Sequence, residues 1–522
     1  MTRQAGPNVT WTETHQARTV AWNVGGRYVT IGIQLLLGLV MLPFNTRHLG
    51  ASDYGLWMLA ASFVAYFPVL DLGYGSAMER FVAHYRTHRN AAAISEIAST
   101  LVFVFAAIGV LAFTVICAIA LNLGAWLDLD PSRARTGGIV MMLVGAQFAF
   151  GLPFAAYGAI VNGFQRQYLN AAVGAAVAIT VAIVNVAVVL GGGGLIELVG
   201  AMTATRIIGF VAYRLNAYRV FPPLRIRLSF FRMTRLREVS RFSVYMLIQE
   251  LSVKANYATD PIVIAAALST SAVAVWTVAQ RLGDVVLQLT NQLNLVLFPI
   301  VVDADSARRD DRLRDVLVQG TRLSLATTLP VAGSLALLAY PVVVGWTGTE
   351  FSAAASIVSI LAMVVIIRVG TWTASTVLQG AGHHRLLSLS NLVTAVVNIG
   401  LSVVLVRTHG LPGVAFATLI TVSIRALTVV FPVACTRCGL SLPQFAAAAV
   451  WPAAWPAVLA LGGLALVRDS AGNSLGFAVL QGAMTGLVYA ALFLGLAIGR
   501  RDRHRYLAKL RTMVRRPALE AA

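Results

Sequence analysis

The sequence predicts an all-α integral membrane protein of about fourteen transmembrane helices. Three observations predict it. Hydrophobic residues make up 58% of the 522-residue chain and charged residues 12%, roughly half the charged share of a soluble domain. The mean hydropathy is +0.77. The apolar residues fall in long blocks, and Lys and Arg collect in alternate gaps between them.

The expected spans are 28–44, 56–70, 99–121, 138–161, 171–190, 195–212, 242–268, 272–302, 316–346, 353–380, 387–406, 414–435, 446–467 and 475–498. Most approach or exceed the ~20 residues that cross a bilayer as a helix. Backbone groups in lipid must be satisfied within the segment, and the short alternating blocks of a transmembrane barrel are not visible, so the spans are helices. The gaps after odd-numbered spans hold about five Lys/Arg. The opposite gaps, with 80–89, 214–241, 308–322 and 500–516 among them, hold roughly 30 of the 40. Short cytoplasmic segments collect Lys and Arg, so both termini are expected inside. The net charge of +19 is then a topology signal. It is spread over many membrane-flanking loops, which argues against nucleic-acid binding.

The first ~20 residues lack an apolar core, so no cleaved signal peptide is expected and the first span acts as its own insertion signal. No soluble domain is expected either. In the 213–241 gap, Leu228, Phe230, Phe231, Met233 and Leu236 interleave with Arg232, Arg235, Arg237 and Arg241. That pattern reads as an interfacial segment under the inner leaflet. The tail 500–516 reads alike. Cys435 and Cys438 form a CxxC without a second pair, so they read as reduced helix-end cysteines rather than a zinc or redox site.

A weak internal repeat relates the fifth and sixth spans, with Asn185 and Arg206, to the eleventh and twelfth, with Asn398 and Arg425. An offset of six spans preserves orientation, so two lobes of six helices are expected around an axis along the membrane normal. The expected division is 1–240 for the first lobe with its Arg-rich linker, 241–440 for the second lobe, and 441–522 for a C-terminal helix pair and basic tail. A cavity between lobes is the usual carrier layout.

The run Pro43-Phe44-Asn45-Thr46-Arg47-His48-Leu49-Gly50-Ala51-Ser52-Asp53-Tyr54-Gly55-Leu56-Trp57, followed by Leu70-Asp71-Leu72-Gly73-Tyr74-Gly75 through Arg80, carries a family resemblance. So do Asn162-Gly163-Phe164-Gln165-Arg166, Thr259-Asp260-Pro261-Ile262-Val263-Ile264 and the stretch 276–281. Together they resemble the polysaccharide-transporter (oligosaccharide flippase) branch of the multidrug/oligosaccharidyl-lipid/polysaccharide superfamily. The resemblance implies a multidrug-transporter-like fold of two lobes and a bacterial inner-membrane location. It implies transport of undecaprenyl-diphosphate-linked oligosaccharide to the outer leaflet, for polysaccharide, O-antigen or exopolysaccharide biosynthesis. Polysaccharide polymerase and glycosyltransferases would be the protein partners and membrane lipids the surroundings. The motif also implies a gate or loop-ordering role for Asp71, after the second span on the cytoplasmic side, and for Arg80.

Ionisable residues inside spans are costly and default to function. The cations are Arg27, Arg206, Lys254, Arg281, Arg368 and Arg425; the anions are Glu197, Glu250, Asp260 and Asp284. A diphosphate needs fixed cations, and guanidinium offers a two-pronged donor for its oxygens. Arg281 and Arg368 are the leading contacts. Arg27, Arg206 and Arg425 lie toward cytoplasmic helix ends, where a long side chain reaches water. Glu250 and Lys254 are four apart on one face and either neutralise each other or, with Asp260, form a site coupling transport to H⁺ or Na⁺. The membrane potential is a further driving force, and no cofactor is expected. Span prolines such as Pro43, Pro153 and Pro330 permit bends. A multidrug/cation antiporter would want an anionic cavity. A membrane polymerase or ligase of lipid-linked sugars would want a large outer loop, and the longest outer gap is about 15 residues. A lipid II flippase stays open as a close relative.

The topology has a direct test. Single cysteines at Arg235→Cys and Arg505→Cys should resist an impermeant thiol reagent added outside intact cells and label once the membrane is opened. Strong external labelling at either would overturn the orientation.

Overall fold

In a computed structural model the described residues are 16–71, 73–127, 129–240, 258–306, 309–471 and 474–498. Among them all regular structure is helical, with no strand. The chain divides into two compact units, Met1–Ala274 and Val275–Ala522.

In the first unit, α1 (Gln16–Val64) contains a sharp break at Gly50, whose φ of 76° is a conformation that side-chain-bearing residues rarely adopt. The break turns one helical run into the first and second spans. The second span then stops at a 3₁₀ turn, Phe67–Asp71, and resumes as α2 (Tyr74–Thr87). This corrects the expected position of Asp71. The Tyr74 ring lies 6.2 Å from that of Phe105 on α3 (Ala91–Leu127). Phe105 is about 21 Å along a helix roughly 55 Å long, well inside a bilayer whose hydrocarbon is ~30 Å thick. Asp71 therefore stands at an interruption in mid-span, not at the cytoplasmic surface, and Arg80 is an exposed residue of α2. Sequence reading ended the span early because Glu79, Arg80, Arg86 and Arg89 dilute its inner half. The opposite face of α2 buries Tyr74, Ala77, Met78, Val82 and Tyr85.

Next come α4 (Pro131–Gly163), α5 (Gln167–Leu190) and α6 (Leu195–Val220). Helices α3 and α4 cross so closely that a Cβ on Gly109 would sit 2.6 Å from the Ala149 carbonyl. The first unit ends with α7 (Asp260–Ala267) and the opening of α8 (Thr270–Ser306). A Cβ on Gly55 would meet the Thr270 carbonyl at 1.8 Å, so α1 touches the start of α8 backbone to backbone.

The second unit takes in the remainder of α8. It continues with α9 (Asp310–Leu337), bent by 72° into α10 (Ala339–Thr347), then α11 (Ala354–Gly380) and α12 (His384–Arg425). Helix α12 breaks at Gly410, φ 59°, and so supplies two spans, as α1 does. The Asn398 amide, before the break, donates to Thr418 Oγ1 (3.1 Å) and Thr421 Oγ1 (3.2 Å) after it. On α5, Asn185 likewise donates to the Met202 sulfur of α6 at 3.7 Å. The two hairpins of the sequence repeat thus each carry a buried asparagine aimed at the following span. The chain closes with α13 (Phe431–Arg437), α14 (Leu442–Phe445), α15 (Trp451–Val467) and α16 (Leu475–Leu492). Three π turns interrupt this region at Ala426–Val430, Ala446–Val450 and Phe493–Ala497. The wide turn at Ala446–Val450 presents the Ala448 carbonyl to Arg322, which donates to it from Nε (3.1 Å) and Nη2 (2.6 Å). Cys438, just past α13, is buried among apolar residues, and that burial pushes its thiol up to about 11. Little thiolate exists there at neutral pH, so the thiol is a poor nucleophile.

Among the described residues, nine helices are long and apolar enough to cross a membrane, or ten with the bent α9–α10 pair. Two of them, Gly25–Thr87 and Arg385–Arg437, hold two spans each. The seventh span falls largely on 241–257, outside the described residues, and the eighth is α8. The all-α membrane class is therefore the class observed. Large apolar side chains face outward along the helices, with Leu466 88% and Leu121 77% exposed, a surface suited to lipid.

Gly55→Ala should destabilise the protein by ~1–3 kcal/mol through overpacking against backbone. Gly400→Ala, where a Cβ meets nothing within 4 Å, should be neutral or stabilising by up to ~1 kcal/mol. Thermal unfolding in one detergent checks both, and equal midpoints would refute the close crossing.

Candidate functional site

Each unit carries a polar cluster at membrane depth. In the second, Gly283 brings α8 against α11: its Cβ position lies 3.7 Å from Val365. Val286, Val365 and Val369, with Ala332 and Ala362, pack beneath the crossing. One turn of each helix away from that packing stand Arg281, Asp284 and Arg368, all half-buried. The Asp284 carboxylate lies within the electrostatic reach of both guanidinium groups. Arg281 and Arg368, 87 residues apart in sequence, thus come near one carboxylate. Guanidinium groups beside a carboxylate at depth form a charged cluster whose forked donors suit an anion.

In the first unit, the interruption of the second span meets the start of α7. The Tyr66 hydroxyl is hydrogen-bonded to Thr259 Oγ1. The next residue, Asp260, is 6% exposed and opens α7 with Pro261 after it. Asp260 lies within electrostatic reach of Tyr66. On the other side of the interruption, Asp71 Oδ1 accepts the Gly75 N–H at 3.2 Å and so caps α2. Discontinuous spans that expose backbone and carboxylates at depth are the usual locations of ion and substrate sites in carriers. Among the described residues, no three His, Cys, Asp or Glu side chains are grouped to hold a metal.

The other sequence candidates are dispersed. Arg27 is exposed near the start of α1 and Arg206 is exposed on α6. Helix α6 continues to Val220, so Arg206 lies about 21 Å from its C-terminal end, not near it as its expected span implied. Arg425 is half-buried and ends α12, but the helical path runs on to Arg437, so it too lies deeper than expected. Glu250 and Lys254 fall outside the described residues.

Sequence reasoning missed two arrangements. The Tyr66–Thr259 contact had a readable signal, a tyrosine two residues before Pro68 in an apolar run. The other is a clamp at the inner end of α1. Asn23 donates to the Gln165 carbonyl (2.8 Å) and accepts from the Tyr168 N–H (2.9 Å). It thereby holds Gln165 at a φ of 61°, a conformation unusual outside glycine. No local pattern announces it, since the partners are 142 residues apart.

Comparison with known proteins adds a second line of observation. A family profile described as "Polysaccharide biosynthesis protein" matches residues 21–305, more than half of the chain. The probable flippase AglR of Haloferax volcanii is 22% identical over 406 residues, covering 76% of this chain and 80% of that protein. Among solved structures, the lipid II flippase MurJ in an inward closed conformation superposes with a TM-score of 0.71 at 15% identity, over 89% of this chain and 98% of its own. An inward-facing multidrug resistance transporter of the MATE family, in the same superfamily, gives 0.66 at 16% identity, over 78% and 94%. Identities this low establish a shared fold.

Asp284 and Arg368 should be energetically coupled. Asp284→Asn alone should lower stability, because it removes a carboxylate that lies near both guanidinium groups. Arg368→Gln in the same chain should recover part of that loss, with a coupling above ~0.5 kcal/mol in a double-mutant cycle. Strict additivity would separate the two residues.

Proposed function

Because the chain belongs to the polysaccharide biosynthesis protein family, we propose that it is a flippase that moves a polyprenyl-diphosphate-linked oligosaccharide from the cytoplasmic to the outer leaflet. The observation that carries this reading is the convergence of Arg281 and Arg368 near Asp284. A diphosphate is the part of such a substrate common to every glycan. Two arginines at membrane depth offer it charge and bidentate geometry together. The glycan needs no covalent change, so the chemistry is binding and release by alternating access. An inside-negative potential assists: each negative charge carried outward gains about 2.3 kcal/mol per 100 mV. On this reading undecaprenyl diphosphate is the carrier, both termini are cytoplasmic and the membrane is the bacterial inner membrane. The polymerase and glycosyltransferases of the same glycan are its working partners.

Asp260 is the proposed coupling residue. It is a buried carboxylate at the start of α7 with Tyr66 within electrostatic reach, and H⁺ or Na⁺ is the ion such a group can exchange. The same carboxylates favour a second reading. A cation antiporter of the shared fold would bind its substrate at Asp71 and Asp260 in place of the Arg281 cluster. Lipid II as cargo keeps the Arg281 role and differs only in the sugar.

Reconstituted vesicles carrying a fluorescent polyprenyl-diphosphate disaccharide decide between these. Arg281→Ala should slow flipping by ~10–100-fold, the loss expected when hydrogen bonds to a charged group are removed. Arg281→Lys should recover part of the rate, because ammonium keeps the charge and loses the fork. Normal flipping by the Ala variant would overturn the phosphate assignment. Efflux of an organic cation that depends on Asp260 and ignores Arg281 would favour the antiporter.

A further inference from the structure

The Arg-rich segment after α6 is a fixed strap on the first unit. Phe221 and Leu224 are buried at its start, 0% and 3% exposed. Three polar residues of α3 then hold its backbone. Arg225 N–H donates to Ser95 Oγ (3.3 Å), Arg227 N–H to Ser99 Oγ (3.2 Å) and Arg232 N–H to Thr100 Oγ1 (3.0 Å). Ser99 Oγ donates back to the Arg225 carbonyl at 3.1 Å. Arg235 locks the far end, paired with Glu96 (3.2 Å) and Glu238 (3.2 Å) and donating to the Tyr85 hydroxyl (2.7 Å). Those bonds fix which side chains turn outward: Arg225, Arg227 and Arg237, with Leu228 69% and Met233 53% exposed between them. Arg232 is exposed as well, while its Nη1 donates to the Ser229 (3.1 Å) and Phe231 (3.2 Å) carbonyls and its Nε lies 4.0 Å from Glu96.

The height of the strap follows from α3. That helix is roughly 55 Å long and its unbroken apolar run begins at Leu101. Ser95, Ser99 and Thr100, which hold the strap, stand just before that run and ~6–14 Å from the helix end. This is the level of phospholipid headgroups, since the hydrocarbon takes only ~30 Å of the helix.

We propose that the strap is a binding site for anionic phospholipid of the adjacent leaflet, with Arg225, Arg227, Arg232 and Arg237 on the headgroup phosphates and Leu228 and Met233 between the upper acyl carbons. Arginine suits the phosphate through its forked donors. Exposed leucine and methionine at the same level distinguish a lipid surface from a soluble anion, which would have no use for them. The pinned backbone means that little chain entropy is lost on binding. The strap belongs to the first unit and the Arg281 cluster to the second, and the proposal does not depend on the transport reading.

The test uses the full chain in nanodiscs of phosphatidylcholine with a minor fraction of spin-labelled phosphatidylglycerol or spin-labelled phosphatidylcholine. The parent should enrich phosphatidylglycerol in its motionally restricted shell, and high salt should erase the enrichment. An arginine at the surface contributes about fivefold to partitioning, so Arg225→Gln/Arg227→Gln/Arg232→Gln/Arg237→Gln should lose at least fivefold of the preference. The basic tail is common to parent and variant, so the difference reports the strap alone. The single changes Arg225→Gln and Arg237→Gln leave the backbone bonds in place and should each remove part of the preference, which guards against loss of fold in the quadruple variant. Leu228→Ser/Met233→Ser should lower the enrichment at low salt, where the arginines are unchanged. Equal enrichment in parent and variants overturns the proposal. So does displacement of the lipid by millimolar inorganic phosphate at constant ionic strength, which would make the strap a soluble-anion site.

Discussion

Every peptide group in the hydrocarbon must find its partner inside the protein, and that constraint governs this structure more than any single contact. Where a span is an unbroken helix the requirement is met by the helix itself. Where it is interrupted around 65–71, and where α7 begins at Asp260, side chains must satisfy what the backbone gives up. Asp71 takes the Gly75 N–H, and Tyr66 and Thr259 close on each other. The polar residues at depth are therefore of two kinds. Some complete a broken backbone. Others, such as Arg281 and Arg368, gather near a carboxylate on neighbouring helices. Function is to be sought in the second kind and at the edges of the first.

The sequence carried the helical class and the sites of most spans because hydropathy in lipid is a local property. A block such as 171–190 needs no neighbour to be read, and α5 occupies Gln167–Leu190. The inner half of the second span was illegible for the opposite reason. Its face toward α4 is apolar and its other face carries Arg80 and His84. A mean over the window hides an amphipathic helix that lies against protein on one side. The strap's composition gives an interfacial segment and no sign of what pins it, since the serines and threonine that do so lie on α3, more than 120 residues earlier.

The candidate site was half legible. Arg281 and Asp284 stand out because a charge in an apolar run is conspicuous, and i,i+3 spacing puts both on one face. That Arg368 shares the same carboxylate depends on the crossing at Gly283 and Val365, which no periodicity encodes. Arg206 and Arg425 were assigned too near the surface because the helices outrun their apolar blocks. Both α6 and the α12–α13 path end in arginines that hydropathy assigns to a loop.

The π turn at Ala446–Val450 sets the azimuth of everything after it. One residue of an α-helix is worth about 100° of rotation. A turn that accommodates one extra residue lets the chain keep its axis while choosing a new face. The face chosen here points Leu461 of α15 at Gly333 of α9, whose Cβ position would lie 2.4 Å from the leucine. The bare glycine and the wide turn are thus a matched pair, a notch and the offset that finds it. Arg322, holding the carbonyl at Ala448, works as the detent. Register in this region is a matter of counting residues, and a drift of one position upstream would bring a different side chain to the notch.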